Sequence, residues 1–103
     1  MPRPLASDKH EYGSTAEFDE QFKKLTRRDK ALKERLLKKI DQILSDPQIG
    51  APKKHSLKLA RGSHVDPYVI VYIFKENTIT FIYVDHHDKV YKKAAEILEK
   101  YSV

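Results

Sequence analysis

Tyr68-Val69-Ile70-Val71-Tyr72-Ile73-Phe74 is an unbroken apolar run, rich in β-branched and aromatic residues. A strand with one wet face alternates apolar and polar positions; this one does not, which predicts a central strand covered on both faces. Lys75-Glu76-Asn77 supplies a polar turn, and residues 78–84 read as the return strand. An antiparallel hairpin is therefore the anchor of the fold.

Immediately before the hairpin, residues 48–67 are looser, with Gly50, Pro52, Gly62 and Pro67. Lys53, Lys54, Lys58 and Arg61 lie there with no acidic residue between them. Leu57 and Leu59 alternate with polar positions, which predicts a half-buried strand.

Further upstream the period changes to that of a helix. Ser14-Thr15-Ala16-Glu17 fits a capping box with Ser14 as cap and Glu17 reaching back to it. Phe18, Phe22 and Leu25 then share one face, predicting a helix over residues 15–27. Asp29 caps a second helix whose apolar stripe is Leu32, Leu36, Leu37, Ile40, Ile43 and Leu44, and Asp46-Pro47 stops it. The short break between the two favours an antiparallel helical hairpin. The lysines and arginines between positions 23 and 39 fall mostly off this stripe; they read as a solvated face, with a phosphate-tracking surface as the alternative. Residues 1–9 hold two prolines and no apolar period, and read as a loose arm, with a weak edge-strand signal at residues 10–12. Beyond the hairpin, Val90, Ala94, Ile97, Leu98 and Tyr101 have helical spacing. The whole describes one α+β domain over residues 1–103: an N-terminal helical hairpin packed on a small curved antiparallel sheet, closed by a C-terminal helix.

A chain of 103 residues supports one modest core. The net charge of +5 and pI near 9.4 suit a polyanionic partner or an acidic protein. Without cysteine there is no disulfide, no thiolate nucleophile and no thiolate zinc site. No stretch reaches the roughly 18 apolar residues of a membrane helix. No apolar segment follows Met1-Pro2-Arg3-Pro4, so no secretory signal and a cytoplasmic location are expected.

Proton chemistry at neutral pH then falls to histidine, which titrates near pH 6.5 when unperturbed. Four of the five, His55, His64, His86 and His87, flank the strand-like segments. His64 lies four residues before the central strand, and His87 and Tyr91 are four apart just after the return strand. If the last helix starts near Asp88, these two share one side of its first turn. His86 reads as a spacer, since only one of two neighbours need face a site, and His10 has no assigned role. Adjacent residues on an extended chain point apart and no His-x₃-His pair is present, so His86, His87 and Asp88 lack the usual spacing of a metal site. Most of the hairpin aromatics read as core, with Tyr68 and Tyr83, near strand ends, as exceptions.

His55-Ser56-Leu57-Lys58, Ser63-His64-Val65-Asp66-Pro67, Ile70-Val71-Tyr72 and His87-Asp88-Lys89-Val90-Tyr91, in that order, resemble the RelE/ParE toxin superfamily. The similarity is greatest to its YafQ-like, histidine-bearing branch of mRNA interferases, and covers roughly residues 11–100. It implies the toxin of a type II toxin–antitoxin pair that cuts mRNA on the ribosome and is silenced by a cognate antitoxin. It places His55, His64 and His87 at the branch's functional histidines and Tyr91 at its terminal aromatic. Two departures stand out. The YafQ-like acidic and aromatic residues after the proline are replaced by Tyr68 and Val69, with Asp66 before Pro67 instead. The arginine that commonly follows the strand-opening tyrosine in the RelE branch is Val69 here, so that branch's chemistry does not transfer unchanged. A non-enzymatic or gyrase-directed ParE-like member acting by protein binding is the alternative.

Metal-free RNA cleavage uses the substrate's own 2′-hydroxyl as nucleophile and needs a base, an acid and cations. The expectation is an acid–base pair of His87 with His55 or His64. Lys53, Lys54, Lys58 and Arg61 hold phosphates, and Tyr91 stacks on a base or hydrogen-bonds the scissile phosphate. Ribosome, mRNA and antitoxin are the expected partners, and no metal or small-molecule cofactor is called for. Residues 55, 64, 87 and 91 should then converge on one open, basic face.

Overall fold

The computed structural model describes residues 10–52 and 59–101. In chain order the elements are β1 (Glu11–Ser14), α1 (Ala16–Thr26), α2 (Lys30–Ser45), β2 (Ala51–Pro52), β3 (Ala60–Val65), β4 (Tyr68–Lys75), β5 (Thr78–His86) and α3 (Val90–Tyr101). The strands form one sheet in the order β1-β5-β4-β3-β2. The apolar run is its central strand, with Val69, Ile70, Val71 and Tyr72 fully buried.

Alternation along β4 divides its side chains between two cores. Ile70 and Tyr72 join Phe18, Leu36, Ile43, Leu44 and Phe81 under α1 and α2. Val69 and Val71 join Ile82, Val90, Ala94 and Ile97 under α3. Burying one such aliphatic side chain is worth about 1.5–3 kcal/mol, so covering both faces of this strand is the largest local contribution to the fold. Between β4 and β5 the register slips, Val71 facing Tyr83 and Tyr72 facing Phe81, so Ile82 is the extra residue of a bulge. The hairpin turns on Glu76 and Asn77, both at positive φ (53° and 66°), the backbone a two-residue turn needs between twisted strands.

Several local expectations are corrected. The α1 cap is Thr15, not Ser14: its hydroxyl oxygen accepts the Phe18 N–H at 2.9 Å and donates to the Ile82 carbonyl at 2.7 Å. A buried hydroxyl with two partners outcompetes an exposed one, and Ser14 instead donates to Asp19. Glu17 does not close a capping box; its carboxylate meets Lys100 at 2.6 Å and accepts from the Tyr101 hydroxyl at 3.1 Å, tying α1 to α3. The first strand runs parallel to β5, so the sheet is mixed at that edge and antiparallel elsewhere. His10 anchors its start through the Leu44 carbonyl and an edge contact with Phe74. Leu59 is exposed at positive φ in the turn before β3, and Leu57 lies outside the described residues. Leu37 is also exposed, since it falls outside the arc that α2 presents to the sheet. Asp29 caps α2 as read, accepting the Leu32 N–H.

Tyr72 joins the core to the loop after α2. Its hydroxyl donates to the Pro47 carbonyl at 2.6 Å and accepts the Gly50 N–H at 3.0 Å. Burial pushes this phenol above its ordinary pKa. A raised folded-state value means its contribution is complete below the unfolded pKa, about 10, and is lost as pH rises through the folded value. The urea midpoint should therefore fall between about pH 9 and about pH 11, and Tyr72→Phe should flatten that decline. Tyr83, raised by the same cause, keeps part of the slope in the variant. An alkaline decline as steep in Tyr72→Phe as in the wild type would remove Tyr72 as its source.

Candidate functional site

Three strands bring their ends to one edge of the sheet. β3 finishes, β4 begins after the two-residue turn Asp66–Pro67, and β5 finishes. In register, His64 faces Val69, which faces Asp85; one step on, Val65 faces Tyr68, which faces His86. The His87 N–H donates to the Pro67 carbonyl at 2.9 Å, closing the loop after β5 onto the β3–β4 turn. His64 and His87 thus belong to the same end of the sheet, and both side chains are open to solvent at 56% and 51% exposure.

Helix α3 starts at Val90 rather than near Asp88, so His87 sits in a turn before the helix. His87 and Tyr91 therefore do not share a first helical turn; Tyr91 is half-buried and packs against the α3-side core. The turn also changes the geometry of the histidine pair. Because the chain leaves the strand after His86, the two rings do not diverge but stack, centroids 4.4 Å apart. On its other side, His86 meets Tyr68 edge-on at 6.3 Å. Asp88 serves both imidazoles: its carboxylate is 3.0 Å from His87 Nδ1 and 3.5 Å from His86 Nδ1. The Asp88 N–H also donates to His86 Nδ1 at 3.2 Å, which puts the proton of a neutral His86 ring on Nε2. Asp66 lies 3.6 Å from His64 Nδ1. Asp66 and Asp88 thus each place a carboxylate within hydrogen-bonding or near-contact range of a histidine Nδ1, at 3.6 Å for His64 and 3.0 Å for His87. Donor atoms of His86, His87 and Asp88 lie within 4.8 Å of one another.

His86, read from the sequence as a spacer, and Asp88, weighed there only as a metal ligand, both contact His87. The signal was β5 itself: continued two residues past Val84, it pairs His86 with Tyr68. Of the other expected residues, His55, Lys53, Lys54 and Lys58 lie outside the described residues. Arg61 sits on β3, half-buried, and donates to the carbonyls of Gly50 at 2.7 Å and Gln48 at 3.3 Å. It braces the loop that leads into the lysine-bearing segment. Beside His64, an open groove of about 370 Å³ is lined by Arg35, Lys38, Lys39, Gln42, Val65 and Asp66.

Residues 14–91 match the family model for the ParE toxin of type II toxin–antitoxin system, parDE. A putative toxin RelE4 from Methanocaldococcus jannaschii is 37% identical over 79 residues, covering 74% of this chain and 84% of that protein. In three dimensions, a mutant of the toxin RelE from E. coli in the free state superposes with a TM-score of 0.69 at 16% identity, covering 92% of this chain and 99% of that one. YafQ from E. coli strain BL21(DE3) does so with a TM-score of 0.65 at 17% identity, covering 78% and 96%. The chain belongs to the RelE/ParE toxin superfamily. It is the toxin of a type II toxin–antitoxin pair, and an antitoxin is its protein partner. Among the described residues no helix is long and apolar enough to cross a membrane.

Proposed function

We propose that this toxin is a ribosome-dependent endoribonuclease that cuts mRNA by histidine acid–base catalysis without a metal. The observation that supports the reading is the solvent-open end of the sheet where β3, β4 and β5 meet: His86 stacks on His87, His87 bonds the Pro67 carbonyl, and His64 stands at the end of β3 on the face that Val69 shares with α3. In the reaction, one imidazole removes the proton of the 2′-hydroxyl as that oxygen attacks phosphorus. The P–O bond to the 5′-oxygen breaks, and an imidazolium gives that oxygen its proton. The products are a 2′,3′-cyclic phosphate and a 5′-hydroxyl, and the enzyme's net proton count is unchanged.

His87, oriented by Asp88, and His64, oriented by Asp66, are the acid–base pair. His55 stays an alternative partner for His87. His86 supports His87 by stacking, and Lys53, Lys54, Lys58 and Arg61 hold phosphates. Tyr91 stacks on a base or hydrogen-bonds the scissile phosphate. A ribosome that aligns the mRNA supplies the orientation these open side chains do not. The cytoplasm is the compartment where such a substrate is met.

Expression of the chain without an antitoxin should arrest growth and shorten cellular transcripts. The purified protein should cut mRNA in a translation mixture and not the same RNA stripped of ribosomes. Growth arrest with intact transcripts and altered DNA supercoiling would instead establish a gyrase-directed toxin.

A further inference from the structure

We infer that the groove between α2 and the end of β3 is a seat for a single-stranded phosphodiester backbone, carrying the RNA past His64. The inference rests on the nuclease reading and adds a binding surface to it. Arg35, Lys38, Lys39 and Gln42 follow one another at intervals of three, one and three along α2, so they form one helical stripe. The stripe faces His64, Val65 and Asp66 across an open space of about 370 Å³.

Charge and shape together select the occupant. Three cations line the groove against one carboxylate, Asp66, which lies beside His64. Among the described residues no ion pair neutralises Lys38 or Lys39. Arg35 spends one N–H on the Asp66 carbonyl at 2.7 Å. That bond fixes the guanidinium over the turn, and the group retains further donors. An acidic peptide held tightly also needs apolar anchors in pockets. The one aliphatic residue of this lining, Val65, is buried in the core beneath it. A nucleic-acid strand needs no such anchor, because phosphates are held by cations and released counterions supply the free energy. His64 and Asp66 are among the groove's lining residues, so a strand lying in it reaches the end of β3.

The test uses the full chain and a roughly 12-nucleotide 2′-O-methyl RNA, which has no nucleophilic hydroxyl to be cut. Binding is followed by fluorescence anisotropy over a salt series. Each cation that contacts single-stranded phosphate contributes about 0.7 to the slope of log K against log salt. The triple variant Arg35→Gln/Lys38→Gln/Lys39→Gln should lose about 2 from that slope and on the order of 100-fold in affinity at about 0.1 M salt. Lys38→Gln/Lys39→Gln keeps the Arg35 bond to Asp66 and should lose about two-thirds of the slope change, which separates charge loss from disturbance of the turn. Lys75→Gln removes one charge at the opposite end of β4 and should lose much less affinity than Lys38→Gln.

Wild-type binding and mRNA cleavage with unchanged slopes in the double and triple variants would overturn the groove and leave the nuclease reading standing. Failure of the wild type both to bind the oligonucleotide and to cut mRNA would sink the two together. A triple variant that binds the oligonucleotide normally but loses a poly-glutamate peptide would reassign the groove to an acidic protein segment.

Discussion

His87→Ala is expected to lower ribosome-dependent mRNA cleavage by about 10²–10⁴-fold, the usual worth of a positioned acid or base. His64→Ala should fall in the same range. Groups that act as one unit are strongly non-additive, so the double variant should lose little more than the worse single variant. Both rings are solvent-open, and neither fills the core, so thermal stability should stay within about 0.5 kcal/mol of wild type. That separates loss of chemistry from loss of fold. Asp88→Asn, which keeps shape but removes the charge facing His87, should cost less, up to about 10²-fold, by misplacing the ring. His86→Ala tests the stack: a loss comparable to that of His87→Ala would move His86 into the proton-transferring pair. If the His64/His87 double variant arrests growth and cuts mRNA as well as the wild type, proton transfer by these histidines is wrong.

The sequence was most readable where one physical demand dominated. A seven-residue apolar run has to be buried on both faces, and β4 is. Asp29 had one available role, and it caps α2. Where two residues competed for one job, pattern alone could not choose between them. Ser14 and Thr15 are both good caps, and the decision came from Ile82, 67 residues away, whose carbonyl takes the Thr15 hydroxyl proton. The direction of β1 depended on a similarly distant pairing with β5. The histidines show the same division. That His87 follows a strand came from local pattern, whereas His64 lies within β3, in a stretch whose Gly62 and Pro67 read as looser chain. That His86 stacks on His87 depended on where the chain leaves β5, two residues later than the apolar period ends. The stripe Arg35, Lys38, Lys39 and Gln42 was visible on α2, but nothing local named β3 as its opposite wall.

Gly50→Ala is expected to destabilise the fold severely for a substitution of one hydrogen by a methyl. A Cβ at this position would stand 2.6 Å from the Tyr72 hydroxyl oxygen and 3.0 and 3.1 Å from Cε1 and Cζ of its ring. Tyr72 has nowhere to go: it is fully buried, and its hydroxyl is held by the Pro47 carbonyl and the Gly50 N–H. Relief therefore requires the loop to move, straining the bonds that Arg61 makes to the Gln48 and Gly50 carbonyls as well. Overpacking of this kind costs about 1–3 kcal/mol, and each strained or lost hydrogen bond adds about 0.5–1.5 kcal/mol. At about 4–8 °C per kcal/mol for a domain of this size, the melting temperature should drop by roughly 10 °C or more. Tyr72→Phe removes the nearest clashing atom but leaves the ring carbons, and forfeits two hydrogen bonds of its own. The double variant should therefore cost less than the sum of the singles, with a coupling of about 0.5–3 kcal/mol. Additive costs would mean that the methyl is accommodated without touching Tyr72. The same loop delivers the chain to Lys53, Lys54, His55 and Lys58. At a temperature where Gly50→Ala is still folded, oligonucleotide binding should thus weaken more than in Lys75→Gln, because a displaced anchor changes where that basic segment begins.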